Sequence, residues 1–378
     1  MSASALAPQP RIGSTRLSVV SIRDFRNLER VDIELPPEGV ALVGDNGQGK
    51  TNLLESLYYL QLLRSFRGAR DVDLVRFGAD GFHLAASVHG GRARAVSVGF
   101  QRAGKRKRAR IDDGVVPRLT DALGAFAAVI FSPADAVLVS GAPSERRRFL
   151  DVALALTSRQ YLNALSHYRA ALANRNAALR NMSGGDVESR VSVWEPALAE
   201  HGAILWRARR EWVDAHAAHF SELCAAIGEN GSSRIRYVSA LDTKDDAETA
   251  LRVALERKRP LDIRRGLTHA GPHRDDLELT LDSRELRLYG SAGQQRTAAM
   301  ALRLLEAATL RAATGTEPVT LLDDPFAELD ARRSSRIFEL LESEGRGQTV
   351  LAVPRQTDIP QGLTRLDRWR ISAGSIIA

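Results

Sequence analysis

The stretch Gly44-Asp45-Asn46-Gly47-Gln48-Gly49-Lys50-Thr51 constrains this chain more than any other. It follows the wholly apolar run Val40 to Val43. It precedes Asn52 to Leu63, where Leu53, Leu54, Leu57, Tyr58, Leu60 and Leu62 recur at helical spacing. A buried strand that breaks into glycines and continues as a helix fits the Walker A pattern: glycine, four residues, then glycine-lysine-threonine. The glycines reach backbone conformations closed to other residues and bring amide groups close to an anion. The helix starting here aims the positive end of its dipole at the same place. Lys50 supplies a mobile cation for outer phosphates, and the Thr51 hydroxyl suits a magnesium ion. Average composition produces this pattern by accident in roughly one chain of this size in a hundred. Its position between strand and helix sets accident aside. Gly44, Asp45, Asn46, Gly47, Gln48, Gly49, Lys50 and Thr51 are therefore expected to hold a nucleotide.

About 270 residues further on, Val319-Thr320-Leu321-Leu322-Asp323-Asp324 is an apolar strand ending in two carboxylates, the form of a Walker B segment. Such a strand carries Asp323 to the sheet edge, where it can hold magnesium opposite Thr51. Asp324 is then placed to polarise an attacking water and is the candidate catalytic residue. Pro325 and Ala327-Glu328-Leu329-Asp330 follow at once. By itself the stretch could be an ordinary strand leaving the core through an acidic turn; beside the phosphate loop it reads as the loop's metal partner. Between the two, Ser291-Ala292-Gly293-Gln294-Gln295-Arg296 opens a run rich in Ala, Met and Leu. Serine followed three residues later by glutamine is a capping box, which makes Ser291 an N-cap. A helix N-terminus with a glycine and a hydroxyl is suited to a phosphate, although most such boxes only start helices.

The rest of the chain sorts by periodicity. Leu17 to Ile22 and Val31 to Leu35 read as strands, as does Phe82 to Ile111. From Pro143 to about Arg259 the pattern is helical, broken at Ser183 to Asp186 and at Gly228 to Ser233; strand-like sequence returns at Leu277 to Leu281. This predicts an α/β head built from residues 16–131 and 263–378, a mostly helical arm over 132–262, and a loose tail over 1–15. No window is long and apolar enough for a transmembrane helix, and the first fifteen residues lack the apolar run of a secretory signal. Cys224 is the only cysteine, which excludes an internal disulfide and a cysteine metal cluster. A cytoplasmic protein that does not enter membranes is expected.

Lysine and arginine exceed aspartate and glutamate by 53 to 46, a balance that permits a nucleic-acid partner without requiring one. Lys105, Arg106, Lys107 and Arg108 lie between two strand-like runs and read as a hairpin tip, with Arg110 close by. Such a cluster attracts phosphates without reading bases, so these four are candidate DNA contacts; a solvated face is the other reading. Arg146, Arg147 and Arg148 open a helix and could instead pair with Asp151 or the arm. For His273 and Arg274 the plain alternative is a satisfied buried histidine and a salt bridge to Asp275 or Asp276. No aromatic residues interleave with the basic runs, so no stacking platform is evident.

The split pair of Walker segments with helices between them resembles the ABC-type heads of SMC, Rad50 and RecF proteins. A long coiled-coil arm needs heptads over hundreds of residues, and only about 130 are available, so the resemblance is to the RecF family. It extends, in family order, through Phe25-Arg26-Asn27, Gly44 to Thr51, Arg64-Ser65-Phe66-Arg67, Phe131-Ser132-Pro133 and Arg146 to Asp151. It continues through Gly271-Pro272-His273-Arg274-Asp275-Asp276, Gly290 to Thr297 and Asp323 to Asp330.

The resemblance implies an ABC-type, SMC/Rad50-like ATPase head with an inserted arm, and ATP with Mg2+ as ligands. It implies that Ser291, Gly293 and Gln294 contact the ATP of an opposing copy, so that ATP closes a homodimer on DNA. It further implies weak, DNA-stimulated hydrolysis and work with RecO and RecR in gap repair, replication restart and SOS induction. Three departures stand out. Pro325 replaces an aliphatic residue, Val350 to Arg355 contains no switch histidine, and Asp324 is one methylene shorter than glutamate. The last two point to slow turnover. No glutamine can be assigned to the Q-loop; Gln61 and Gln101 both lack the context. Two alternatives stand beside this reading: a scaffold that binds ATP with negligible hydrolysis, and a Rad50-like nuclease-associated head.

Overall fold

A computed structural model describes residues 13–112, 114–181, 187–241, 246–326, 331–344, 347–363 and 365–377. The chain divides into two units. The first takes the chain up to Pro133, Ala307–Glu328 and Phe338 onward; the second takes Ala134–Glu306 and Leu329–Ile337. Residues 263–306, expected in the head, thus count with the helical unit.

The first unit holds two six-stranded sheets. In one, Ala128–Phe131, Val319–Asp323, Thr349–Val353, Gly39–Val43 and Asp367–Ser372 run parallel in that order, with Ser375–Ile377 antiparallel at the edge. Ala128–Phe131 and Thr349–Val353 are buried throughout, as expected of parallel strands covered on both faces. The register pairs Asp323 with Ala352 and Val43 with Val353. The start of the phosphate loop and the first acidic carboxylate therefore leave the sheet at one edge.

The other sheet is antiparallel, in the order Leu28–Glu34, Arg16–Phe25, Gly81–His89, Ala95–Gln101, Arg106–Ile111 and Gly114–Val115. Its strands alternate: Phe82, Leu84, Ala86 and Val88 are buried, while His83 and His89 are exposed. The helix Lys50–Leu62 packs against strands of both sheets and buries side chains around most of its circumference. Residues 13–15, expected in the tail, are ordered instead. Gly13–Ser14 pairs in parallel with Thr316–Glu317, and Thr15 is fully buried.

In the second unit, helices run over Pro143–Thr157, Arg159–Arg180, Glu195–Ile227 and Ala247–Arg265. The third has 33 residues, about 50 Å of rise, and ends on Gly228 in the left-handed conformation. The break expected at Gly228 to Ser233 opens into a strand, Ser233–Val238. That strand pairs with Asp276–Leu281, which in turn pairs with Arg284–Glu285. Leu277 to Leu281 therefore does form a strand, but in a sheet of its own and not in the nucleotide sheet. The break at Ser183 to Asp186 and the stretch Ala327-Glu328-Leu329-Asp330 lie outside the described residues. Among the described residues, no helix is long and apolar enough to cross a membrane.

Candidate nucleotide site

Gly49 caps the loop helix with φ 116°. A Cβ there would press to 3.0 Å against the Asn27 side chain, and one on Gly44 would come within 2.4 Å of the Ile371 carbonyl oxygen. Only glycine lets the loop lie this close to its neighbours. Lys50 folds back along the loop, its Nζ donating to the carbonyls of Gly44 at 2.5 Å and Asp45 at 2.9 Å. Burial pushes the lysine ammonium toward its neutral form, opposed by Asp323, Asp324 and Asp45. The Thr51 hydroxyl donates to Asp323 Oδ1 at 2.8 Å, joining positions 272 residues apart. Burial raises the Asp323 carboxyl above its usual range, and the Thr51 hydrogen bond opposes the rise. A hydroxyl and a carboxylate side by side are hard oxygen donors of the kind magnesium takes. Asp324 turns out of the strand with φ 44°, its N–H donating to the Ala352 carbonyl at 2.9 Å. A positive φ on a residue with a side chain is a strained conformation of the sort found at working sites.

The sequence pattern gave no hint of what shapes the crest of the loop. The Gln48 carbonyl accepts from Gly374 N at 2.8 Å and from Asn27 Nδ2 at 3.2 Å. Its side-chain Oε1 accepts from Ala373 N at 2.6 Å. Gln48, expected on the nucleotide, thus spends its side chain on the hairpin turn between Asp367–Ser372 and Ser375–Ile377. Asn52 Nδ2 holds Asn27 Oδ1 at 2.8 Å. Arg26 meets both carboxylate oxygens of Glu55, which is fully buried and also bonded by the Ser65 hydroxyl. Phe25-Arg26-Asn27 and Arg64-Ser65-Phe66-Arg67 are therefore braces of the loop and its helix.

In the second unit the capping box is complete. Gln294 N donates to Ser291 Oγ at 3.3 Å, and Ser291 N donates to Gln294 Oε1 at 2.8 Å. Ser291, exposed, and Gly293 and Gln294, half-buried, thus stand at the start of the helix Ala292–Thr314.

Only Lys105 of the basic cluster lies in the hairpin turn. Gln101 pairs with Arg106, so the turn lies at 102–105 and Arg106–Ile111 is strand. Strand alternation then divides the cluster. Lys107 turns inward, with Nζ 2.6 Å from Asp71 Oδ2, 2.7 Å from the Leu63 carbonyl and over the Tyr59 ring. It drops out of the candidate DNA contacts. Lys105, Arg106 and Arg108 are exposed.

Residues 16–362 match the family described as RecF/RecN/SMC N terminal domain. The DNA replication and repair protein RecF of Roseiflexus castenholzii is 37% identical, over 94% of this chain and 98% of its own. The chain belongs to the RecF family. RecF of Frankia alni is 38% identical over 96% of this chain and 99% of its own. A solved structure of the recombination mediator protein RecF with ATP, in the RecFOR pathway, superposes with a TM-score of 0.88. It shares 28% identity and covers 98% of this chain and 99% of that one. The fold is accordingly the ABC-type ATPase head of this family.

The stretch by which the sequence most narrowly resembles RecF, Gly271 to Asp276, is a saturated knot. Arg146, almost fully buried, meets Asp276 through two bonds of 2.8 Å and not Asp151. Asp151 takes Arg209 at 2.7 Å, Arg169 at 2.8 Å and Tyr161 at 2.6 Å. Arg209 also donates to the Pro272 carbonyl, and Asp275 accepts from Tyr237 and Ser239. Arg274 bonds the Thr268 carbonyl, not the carboxylates expected to pair with it. His273 Nε2 also lies 3.1 Å from the Thr268 carbonyl and must donate to it, so Nδ1 accepts from Tyr168 Oη at 2.6 Å. Burial pushes this imidazole down to about 4. Alongside, the fully buried Arg175 joins Asp262, Glu195 and Thr268. Of the two glutamines that lacked context, Gln61 is fully buried and Gln101 exposed.

Proposed function

We propose that this chain binds ATP with magnesium and, with ATP in place, closes as a homodimer on DNA in recombinational repair and replication restart in the cytoplasm. One observation carries the reading: the 2.8 Å contact between the Thr51 hydroxyl and the Asp323 carboxylate. It makes one oxygen-lined position from segments at opposite ends of the chain. The amides of Gly44 to Thr51 face the phosphates, and Lys50 exchanges its loop carbonyls for outer phosphate oxygens. Thr51 and Asp323 hold the metal; magnesium there supplies the positive charge that phosphoryl transfer requires. Asp324 orients water for attack. Ser291, Gly293 and Gln294 receive the nucleotide of the opposing copy, and Lys105, Arg106 and Arg108 contact DNA phosphates. The related RecF structure solved with ATP supports the ligand. Family membership supports RecO and RecR as partners and a role in SOS induction.

The test is sedimentation of wild type and Lys50→Ala with DNA, with and without magnesium ATP. Wild type shifts to dimer on DNA, and Lys50→Ala loses at least roughly a hundredfold in ATP affinity. If the variant dimerises as well as wild type, the reading is wrong.

A second reading, ATP held with negligible turnover, is favoured by the short carboxylate at Asp324 and by the absence of histidine from Val350 to Arg355. Phosphate release separates the two: Asp324→Asn abolishes a slow hydrolysis and leaves a scaffold's baseline unchanged.

A further inference from the structure

The knot in the second unit forms one wall of a cavity that no role above uses. The cavity is about 80 Å³, room for more than one ordered water, which needs roughly 10–15 Å³ on that measure. Gly271 and Pro272 line one side. The helix Ala247–Arg265 lines another, presenting Leu251, Ala254 and Lys258 on one stripe with Arg257 beside them. Trp206 also lines it. That side chain is only 6% exposed, and its indole N–H has no acceptor.

Two cations in the lining are left over. Arg257 is exposed and Lys258 half-buried, and among the described residues neither has a hydrogen-bond or ion-pair partner. The one carboxylate in the lining among the described residues, Asp275, is already satisfied by Tyr237 and Ser239. Arg274 also lines it but is spent on the Thr268 carbonyl, so among the described residues the cavity offers two unpaired cations, Arg257 and Lys258, over apolar walls. Free phosphate would make no use of the walls. A nucleobase needs an open aromatic face, but Trp206 is buried and Arg210 lies over its ring at 5.2 Å.

We propose that this cavity docks an acidic peptide segment of a partner protein. One apolar side chain enters against Leu251 and Ala254. The acidic flanks meet Arg257 and Lys258.

Fluorescence anisotropy on the full chain tests this with a labelled short peptide of aspartates and glutamates around one leucine. Binding is expected to saturate and to weaken roughly tenfold or more in Arg257→Glu with Lys258→Glu. Neither residue has a partner among the described residues, so the fold survives, and an unchanged melting temperature checks it. Ala254→Leu, which fills the cavity, and a peptide with glycine in place of leucine should each weaken binding similarly. Three outcomes overturn the proposal. The leucine peptide fails to saturate; the glycine peptide or charge-reversed variant binds as well; or a single-stranded oligonucleotide displaces the peptide and itself binds the charge-reversed variant poorly.

Discussion

Two glycine-bearing stretches of this chain, Gly44 to Thr51 and Gly271 to Asp276, both carry the resemblance to the RecF family. In space they are opposites. The knot closes on itself: Asp275, Asp276, His273 and Arg274 all have partners within their own unit. The phosphate loop stays open. Asp45, Asn46 and Gly47 are exposed, and the Lys50 ammonium rests on carbonyls it can leave. A distinctive motif marks constraint; whether the constraint serves architecture or a ligand depends on where its polar groups find partners.

Substitutions on the two sides should therefore fail differently. The largest effect is expected in the buried network beside the knot. Arg175→Ala leaves the fully buried Asp262 without its arginine, while Glu195 keeps Arg259, and should cost about 3–5 kcal/mol of stability. Chemical denaturation measures it, and ATP affinity of the folded fraction should not move. A loss of ATP affinity without loss of stability would break the comparison.

Acid should act on the same side. His273 is neutral when folded, held near 4, whereas the unfolded imidazole titrates near its ordinary value. The unfolded state then binds the extra proton, so stability falls as pH drops from about 6.5 toward 4. At about pH 5 the loss is of order 2 kcal/mol, and His273→Gln should remove that part of the slope in a series of melts.

On the open side the effects are smaller and concern the ligand. Gln48→Ala removes one hydrogen bond to Ala373 N and should weaken ATP binding by roughly fivefold, near 1 kcal/mol, with little change in stability. Titration with a fluorescent ATP analogue reads it; a large stability loss would make Gln48 part of the architecture. Smallest is the basic strand. Arg106→Ala with Arg108→Ala should lower the slope of DNA affinity against salt by roughly two, while Lys107→Ala leaves the slope unchanged. A slope lowered by Lys107→Ala as well would return Lys107 to the DNA surface.

The parts legible in the sequence are those whose physics is local. Gly49, Lys50 and Thr51 are set by spacing within one loop, and Ser291 with Gln294 by one helical turn. The acidic strand announced itself by burial followed by charge. Partners across distance were not legible: Arg146 meets Asp276 130 residues away, and Asp276–Leu281 chose Ser233–Val238 over the nucleotide sheet. Strand pairing and ion pairing depend on which surfaces meet, and short-range periodicity does not encode that. Lys107 is an exception, because the signal was present. The buried Ala109 two residues on shares its face of the strand, and period-two reading would have turned that lysine inward.

The bond from Ala373 N to Gln48 spans 325 residues of chain. During synthesis at about 5–20 residues per second, the loop is made roughly 16–65 s before the amides that shape its crest exist. Asp323, which faces Thr51, is also made late. A nascent chain on the ribosome therefore carries an unfinished cradle, and competence for ATP arrives only after the carboxyl-terminal hairpin has emerged and folded back.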